Sequence, residues 1–352
     1  MTVPAANVGA LADGNATVTA SVNDIAGNPT SVSRVALVDA TPPVVTINPV
    51  ATDNVINTPE HTQAQIISGT VTGAQAGDIV TVTLNNVDYT TVVDGSGNWS
   101  LGVPASVVSG LVDGSYPINV SVTDRAGNTG SQSLTVTVNT AAPLIGINSI
   151  AGDDVINASE KGADLQITGT SDQPVNTAIT VTLNGQNYTT TTDASGNWSV
   201  TVPASAVTAL GQANYTVTAA VTSNIGNSNT ASHNVLVDSA LPGVTINPVA
   251  TDDIINAAEA GVAQTISGQV TGAEDGDTVT ITLGGNTYTA TVGSNFTWSV
   301  SVPAADIQAL GNGDLTVSAS VTNQNGNTGS GTRDITIDAN LPGLRVDTVA
   351  GD

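Results

Sequence analysis

The chain of 352 residues has no cysteine and hardly any positive charge. Without cysteine there is neither a disulfide scaffold nor a thiolate zinc site. One lysine (Lys161) and four arginines stand against 29 acidic residues, for a net charge of −24. Such a chain cannot neutralise a run of phosphates, which excludes nucleic acid as a partner. It also has no basic patch for anionic lipid. No apolar run reaches about 18 residues, so no membrane insertion is expected. The start, Met1-Thr-Val-Pro-Ala-Ala-Asn-Val-Gly9, lacks a basic region followed by an apolar core and does not read as a signal peptide. Helix formers are scarce as well, with only four glutamates and one lysine. What is abundant is Thr, Val, Asn, Ser, Gly and Asp, a vocabulary of strands and turns.

The sequence repeats itself. Trp99, Trp198 and Trp298 keep a register shared by Tyr89, Tyr188 and Tyr288, and by Val-Pro at 3–4, 103–104, 202–203 and 302–303. Gly-Asn pairs at 27–28, 127–128, 226–227 and 326–327 follow it too. A spacing of 99–100 residues is a whole domain rather than a solenoid unit. Three complete repeats are expected at 40–139, 140–238 and 239–338. Residues 1–39 match the last part of a repeat, and 339–352 match the first strand of a further one. Both ends thus read as cut inside a domain.

Within a repeat, Val80, Val82 and Leu84 alternate with threonines, as do Leu134, Val136 and Val138. Period two means half-buried strands. Seven are expected per unit, near 44–50, 64–72, 79–86, 88–93, 98–103, 116–123 and 130–138. After Pro104, the spacing of Val108 and Leu111 predicts a single helical turn. The fold class is therefore all-β: tandem immunoglobulin-like seven-strand β-sandwiches in an elongated rod. The single Trp of each repeat reads as a core residue, with a sugar-stacking platform as the sharper alternative.

One acidic motif recurs: Thr52-Asp-Asn-Val-Ile-Asn-Thr-Pro-Glu60, Gly152-Asp-Asp-Val-Ile-Asn-Ala-Ser-Glu160 and Thr251-Asp-Asp-Ile-Ile-Asn-Ala-Ala-Glu259. It holds three of the four glutamates, the fourth being Glu274. In a seven-strand sandwich the loop after strand one lies at the far pole, with the end of strand seven. That end carries Asp39, Asn139, Asp238 or Asp338, followed by a short proline-bearing linker. The loop between strands six and seven of the next repeat faces it: Asp124 at the joint entering the first complete repeat, then Ser223–Asn227, then Asn323–Asn327.

Each joint therefore collects oxygen donors: Asp39 and Asp124; Asp53, Glu60 and Asn139; Asp153, Asp154, Glu160 and Asp238; and Asp252, Asp253, Glu259 and Asp338. Crowded carboxylates repel, and calcium, which takes six to eight mixed oxygen ligands, relieves that repulsion. The plainer reading is a solvated acidic rim whose aspartates cap turns. On the calcium reading the second joint holds the ion better than the first, because Asn139 replaces an acid there.

The units Ala-Gly-Asp-Asp-Val-Ile-Asn-Ala…Glu, Ser-Gly-Asn-Trp-Ser-Val-x-Val-Pro and Asp-x-Ala-Gly-Asn resemble the bacterial immunoglobulin-like repeats of giant type I-secreted adhesins, of the biofilm-associated type. The resemblance covers the whole chain. It implies an extracellular stalk on a bacterial surface, stiffened by calcium through Asp53, Asp153, Asp154, Asp252, Asp253 and the linker aspartates. The stalk's partners would be neighbouring repeats, with host-cell or biofilm-matrix surfaces bound by regions outside this chain. Asn54, Asn139, Ser223 and Asn323 depart from the most acidic pattern.

Catalysis finds no support. His61 and His233 occupy different repeat positions without a recurring partner, and no Gly-x-Ser-x-Gly elbow is present. Paired Asp and Glu recur at joints rather than beside a sugar platform. The alternative to a stalk is a string of carbohydrate- or ligand-binding modules of a secreted enzyme.

Overall fold

The computed structural model describes residues 2–346. The chain forms two compact units. One runs to Pro143 and includes the hairpin tip Thr222–Asn229; the other begins at Leu144.

The first unit opens with a helical turn, α1 (Ala5–Val8), and a two-stranded hairpin, β1 (Gly14–Asn23) with β2 (Pro29–Val38). A sandwich follows. One sheet has three strands in the order β3 (Val44–Val45), β5 (Gln65–Thr72), β8 (Asn98–Val103). The other has five, in the order β4 (Val55–Ile56), β10 (Thr129–Val138), β9 (Gly114–Thr123), β6 (Ile79–Leu84), β7 (Val87–Val92). Alternation along these strands sends Val80, Val82, Ile118, Val120, Val122, Val136 and Val138 inward, each no more than 1% exposed. The helical turn expected after Pro104 is α3 (Ala105–Val108), whose Val108 plugs the core.

The second unit repeats both sheets twice, with strand orders equivalent to those of the first sandwich. Its cores run from Ile150 to Val237 and from Val244 to Ile337. The helical turns after Pro203 and Pro303 are Ala204–Thr208 and Ala304–Leu310.

Of the strand expected near 44–50 only Val44–Val45 forms, and a further strand that was not expected lies inside the acidic motif. β3 pairs antiparallel with β5 in one sheet, and β4 pairs parallel with β10 in the other, Val55 opposite Thr137 and Ile56 opposite Val138. The chain changes sheets through the acidic motif, so each complete repeat has eight short strands. The reason is local. A 3₁₀ turn at Val50–Thr52 puts Ala51 and Thr52 at φ 52° and 73°, and Asn54 follows at 66°. No straight strand passes through such a run of left-handed residues. A further helical turn, α2 (Thr58–His61), closes the motif.

Each Trp is core. Trp99, Trp198 and Trp298 are 2–3% exposed and lie opposite Gly69, Gly169 and Gly268. A Cβ on Gly69 would stand 1.9 Å from the Thr46 carbonyl oxygen and 2.9 Å from the Trp99 ring, so only glycine lets the indole lie flat there. The strand expected over 339–352 falls partly outside the described residues, and 341–346 form no strand.

Candidate functional site

Three acidic positions of the motif play three different parts. The first acid makes a tight local turn: Asp53, Asp153 and Asp252 each accept, on Oδ1, the N–H two residues on, at 2.9, 3.0 and 3.1 Å. The second position closes the 3₁₀ turn. Asn54, Asp154 and Asp253 sit at φ 66–67° and accept from the N–H of Val50, Ile150 and Val249. Asn and Asp are the side chains that tolerate this backbone while bonding locally. The glutamate folds back on the start of its own turn. Glu60, Glu160 and Glu259 accept on Oε2 from the N–H of Asn57, Asn157 and Asn256 at 3.0–3.1 Å. The Asn side chain answers by accepting from the glutamate N–H, which makes a capping box.

Asp154 and Asp253 do not join the other acids. Asp154 Oδ1 accepts from His233 Nε2 at 2.7 Å, and Asp253 takes two bonds from Arg333, at 2.7 and 2.6 Å. Hydrogen bonding from Ile150 N–H and His233 holds the Asp154 carboxyl below its ordinary 3.8. Arg333 does the same for Asp253, against the opposing effect of burial. His233 therefore has a recurring partner after all. By register its place in the repeat is Leu134, His233 and Arg333, and the last two meet Asp154 and Asp253.

The linker residue keeps one role in every repeat. Asp39, Asn139, Asp238 and Asp338 each accept on Oδ1 from the N–H two residues on, at 3.1–3.2 Å. A second tie comes from the loop before the penultimate strand. Asp13, Asp113, Gln212 and Asn312 accept from the first linker N–H, at Ala40, Thr140, Ser239 and Ala339.

The loop between the last two strands also differs from expectation. Asp124 is 8% exposed and accepts from the N–H groups of Ala126 and Asn128 and from Asn128 Nδ2. Burial raises its pKa, and those bonds outweigh burial, leaving it below 3.8. Ser223 and Asn323 do part of the same work by accepting the N–H of Asn227 and Asn327. The position needs an oxygen acceptor, not a charge, and this explains why Ser and Asn stand there.

The parts meet as the topology requires. Within the first unit, Asn227 Oδ1 accepts from Thr58 N–H at 2.7 Å, and its Nδ2 donates to the carbonyls of Asn139 (2.8 Å) and Ala141 (3.0 Å). Within the second, Asn327 Oδ1 accepts from Ala158 N–H at 2.7 Å and Nδ2 donates to the Asp238 carbonyl at 2.9 Å. Asn325 Nδ2 reaches Asp238 Oδ2 at 2.6 Å, and Lys161 Nζ donates to Ser239 Oγ at 3.4 Å. The sequence placed the loops 223–227 and 323–327 at these joints as oxygen donors; that the asparagine ending the Gly-Asn pair makes the contact, with its amide both donating and accepting, is the structure's addition.

The donor set suits a hard cation in kind: carboxylate, carboxamide and backbone carbonyl oxygens, with no sulfur. Asp53, Asp153, Asp252 and the three glutamates are each held by a backbone N–H on one oxygen. Among the described residues, no three His, Asp or Glu side chains converge into a group that could hold a metal ion.

Residues 50–140 match the family model of the bacterial Ig-like domain. A Ca2+-stabilized adhesin of an Antarctic bacterium that binds ice is 34% identical over 92% of this chain and 81% of its own, with a TM-score of 0.47. The chain belongs to the family of bacterial Ig-like repeats. A 1.5-MDa bacterial ice-binding adhesin, described for host cell surface retention, is 32% identical over 86% of this chain and 100% of its own, with a TM-score of 0.49. A tetra-tandem repeat from the extending region of a large adhesion protein is 28% identical, covering 94% and 83%, with a TM-score of 0.34. Sequence identity and the domain match decide the family here; the whole-chain TM-scores all lie below 0.5. No curated protein matches the chain. As a run of bacterial Ig-like repeats, it presents buried tryptophans rather than an aromatic platform.

Proposed function

We propose that the chain is a stalk segment of a bacterial surface adhesin: a non-enzymatic extracellular spacer whose repeats carry a distal binding region away from the cell, in attachment or biofilm formation. The observation that carries this reading is the joint. In the two joints described, the turn that ends the acidic motif and the linker of one repeat meet the loop between the last two strands of the next. The adhesin relatives, one of them calcium-stabilized, support the same reading.

Calcium is the proposed cofactor, and it would stiffen the joints. Asp53 with Glu60, Asp153 with Glu160 and Asp238, and Asp252 with Glu259 and Asp338 are its proposed ligands, with Asp39 at the joint entering the first complete repeat. Asp124 and Asp253 have both carboxylate oxygens engaged, and Asp154 has Oδ1 engaged by Ile150 N–H and His233; these three are assigned to the fold. Extracellular calcium modules bind with a Kd on the order of 10⁻⁴–10⁻³ M. At tenfold excess over Kd, one ion favours the bound joint by about 1.4 kcal/mol, enough to bias a hinge without being needed for folding. The second joint has one carboxylate more than the first, Asp238 for Asn139, and an ammonium close by at Lys161.

Small-angle scattering of the chain in calcium and then in chelator tests this reading. The expected outcome is a smaller, more variable maximum dimension in chelator with unchanged circular dichroism. Identical curves in both conditions would remove calcium from the account.

A further inference from the structure

We infer that the asparagine ending the Gly-Asn pair is the residue by which a repeat recognises the one before it, and that this recognition needs no metal ion. The inference shares with the proposed function only the tandem-repeat arrangement, not the calcium.

Asn327 and Asn227 are 2% and 1% exposed, although each lies in a loop. A buried carboxamide has both a donor and an acceptor end to satisfy. Each end finds a partner in the preceding repeat, and Asn227 Nδ2 also gives to the Ala141 carbonyl of the linker. Oδ1 takes the N–H of Ala158 or Thr58, and Nδ2 gives to the linker carbonyl of Asp238 or Asn139. Beyond that linker bond, their own repeats engage only their backbone, through Asn323 and Ser223. The partner surface is thus defined chemically. It is one free N–H just after the capping Asn157 or Asn57, beside one linker carbonyl, on another repeat of this kind. A carboxamide reads this pair of groups. An aspartate would meet the carbonyl with a second acceptor, and an alanine would leave both groups unpaired.

The preceding glycine belongs to the same device. Gly326 and Gly226 have φ of 76° and 90°, and a Cβ on them would stand 3.0 and 2.7 Å from the Nδ2 of Asn157 and Asn57. In the first unit Asn57 Nδ2 also donates to the Ile225 carbonyl at 2.7 Å. The corresponding residues without such an N–H opposite them behave differently. Asn28 is exposed and its amide turns back to Asp24, whereas Asn128, which meets the Asp39 linker carbonyl but shares its amide with Asp124, is half-buried. Burial of this asparagine therefore follows docking rather than the fold of its own hairpin.

The test is hydrogen exchange at the Ala158 amide in the full chain with chelator present. The expected result is exchange slowed by about 100-fold or more relative to an unstructured amide. Asn327→Ala and Asn327→Asp should both bring it to within about tenfold of the unstructured rate, while the core amide of Val279 stays protected. Should Asn327→Ala disturb the third sandwich, Asn227→Ala with the Thr58 amide as reporter gives the same reading at the other place. Free exchange of Ala158 in chelator, with protection only in calcium, overturns the inference, as does protection that survives Asn327→Ala. Protection in chelator together with scattering curves that ignore calcium upholds it and rejects the calcium reading alone.

Discussion

Asp253 and Arg333 lie 80 residues apart and meet through two hydrogen bonds, from Nε at 2.7 Å and Nη2 at 2.6 Å. The first repeat has the neutral pair Asn54 and Leu134 at these places. Arg333→Leu alone should lower the urea midpoint, because Asp253 then keeps its charge without a counter-ion. Adding Asp253→Asn should recover part of the loss, since asparagine still closes the 3₁₀ turn as Asn54 does. Additive losses in that double-mutant cycle would show that the pair carries no coupling.

The same pair sets a pH dependence. Arg333 holds the Asp253 carboxyl below 3.8 in the folded chain, so its contribution is present above the ordinary value and is lost as pH falls through the lowered one. The stability gap between the natural chain and Asp253→Asn should be constant above about pH 5 and close progressively below about pH 4. Urea midpoints measured across that range check it.

Thr251 and Thr52 are β-branched residues at φ 74° and 73°, where the second repeat has Gly152 at 96°. A branched side chain in this region is strained. Thr251→Gly, copying the second repeat, should stabilise the third sandwich by about 0.5–1 kcal/mol. Chemical denaturation of the two forms measures it; destabilisation would mean that the threonine side chain contributes something the backbone strain does not outweigh.

Trp198 fills the centre of its sandwich at 3% exposure, against Gly169. Trp198→Ala should cost about 3–5 kcal/mol, as cavity-forming aromatic deletions do. Its indole Nε1 is buried with no hydrogen-bond partner, as are those of Trp99 and Trp298, so the loss is of packing alone. Thermal unfolding is the readout.

Glu160 serves its capping box through Oε2. Glutamine fills that position equally well. Glu160→Gln should therefore change stability by less than about 0.5 kcal/mol. If calcium binds as proposed, the same change should weaken it at the second joint by about tenfold, because ligand charge tunes affinity. Calorimetric titration with calcium separates the two effects.

The sandwich was legible because its signals are local and repeated. Alternating Val80, Val82 and Leu84 mark a half-buried strand wherever they occur, and Pro104 with Val108 marks a helical turn. The acidic motif was legible as a motif but not as a geometry. Asp153 and Asp154 are adjacent and alike in sequence, yet one makes a surface turn and the other faces His233. Which does which depends on a run of left-handed backbone that has no compositional signature beyond Gly152.

By itself the sequence determined the period, every strand of a repeat but those flanking the 3₁₀ turn of the acidic motif, the inward-facing residues, the buried tryptophans and the pole to which that motif goes. These follow from alternation and chain direction, which a linear string records. Only the tertiary structure decided what each polar side chain bonds to. Asn327 finds Ala158 and Asp238, and Arg333 finds Asp253, because a hydrogen bond is set by a few tenths of an ångström between groups 80 to 169 residues apart. That distance exists only once the sheets have packed and one repeat has met the next.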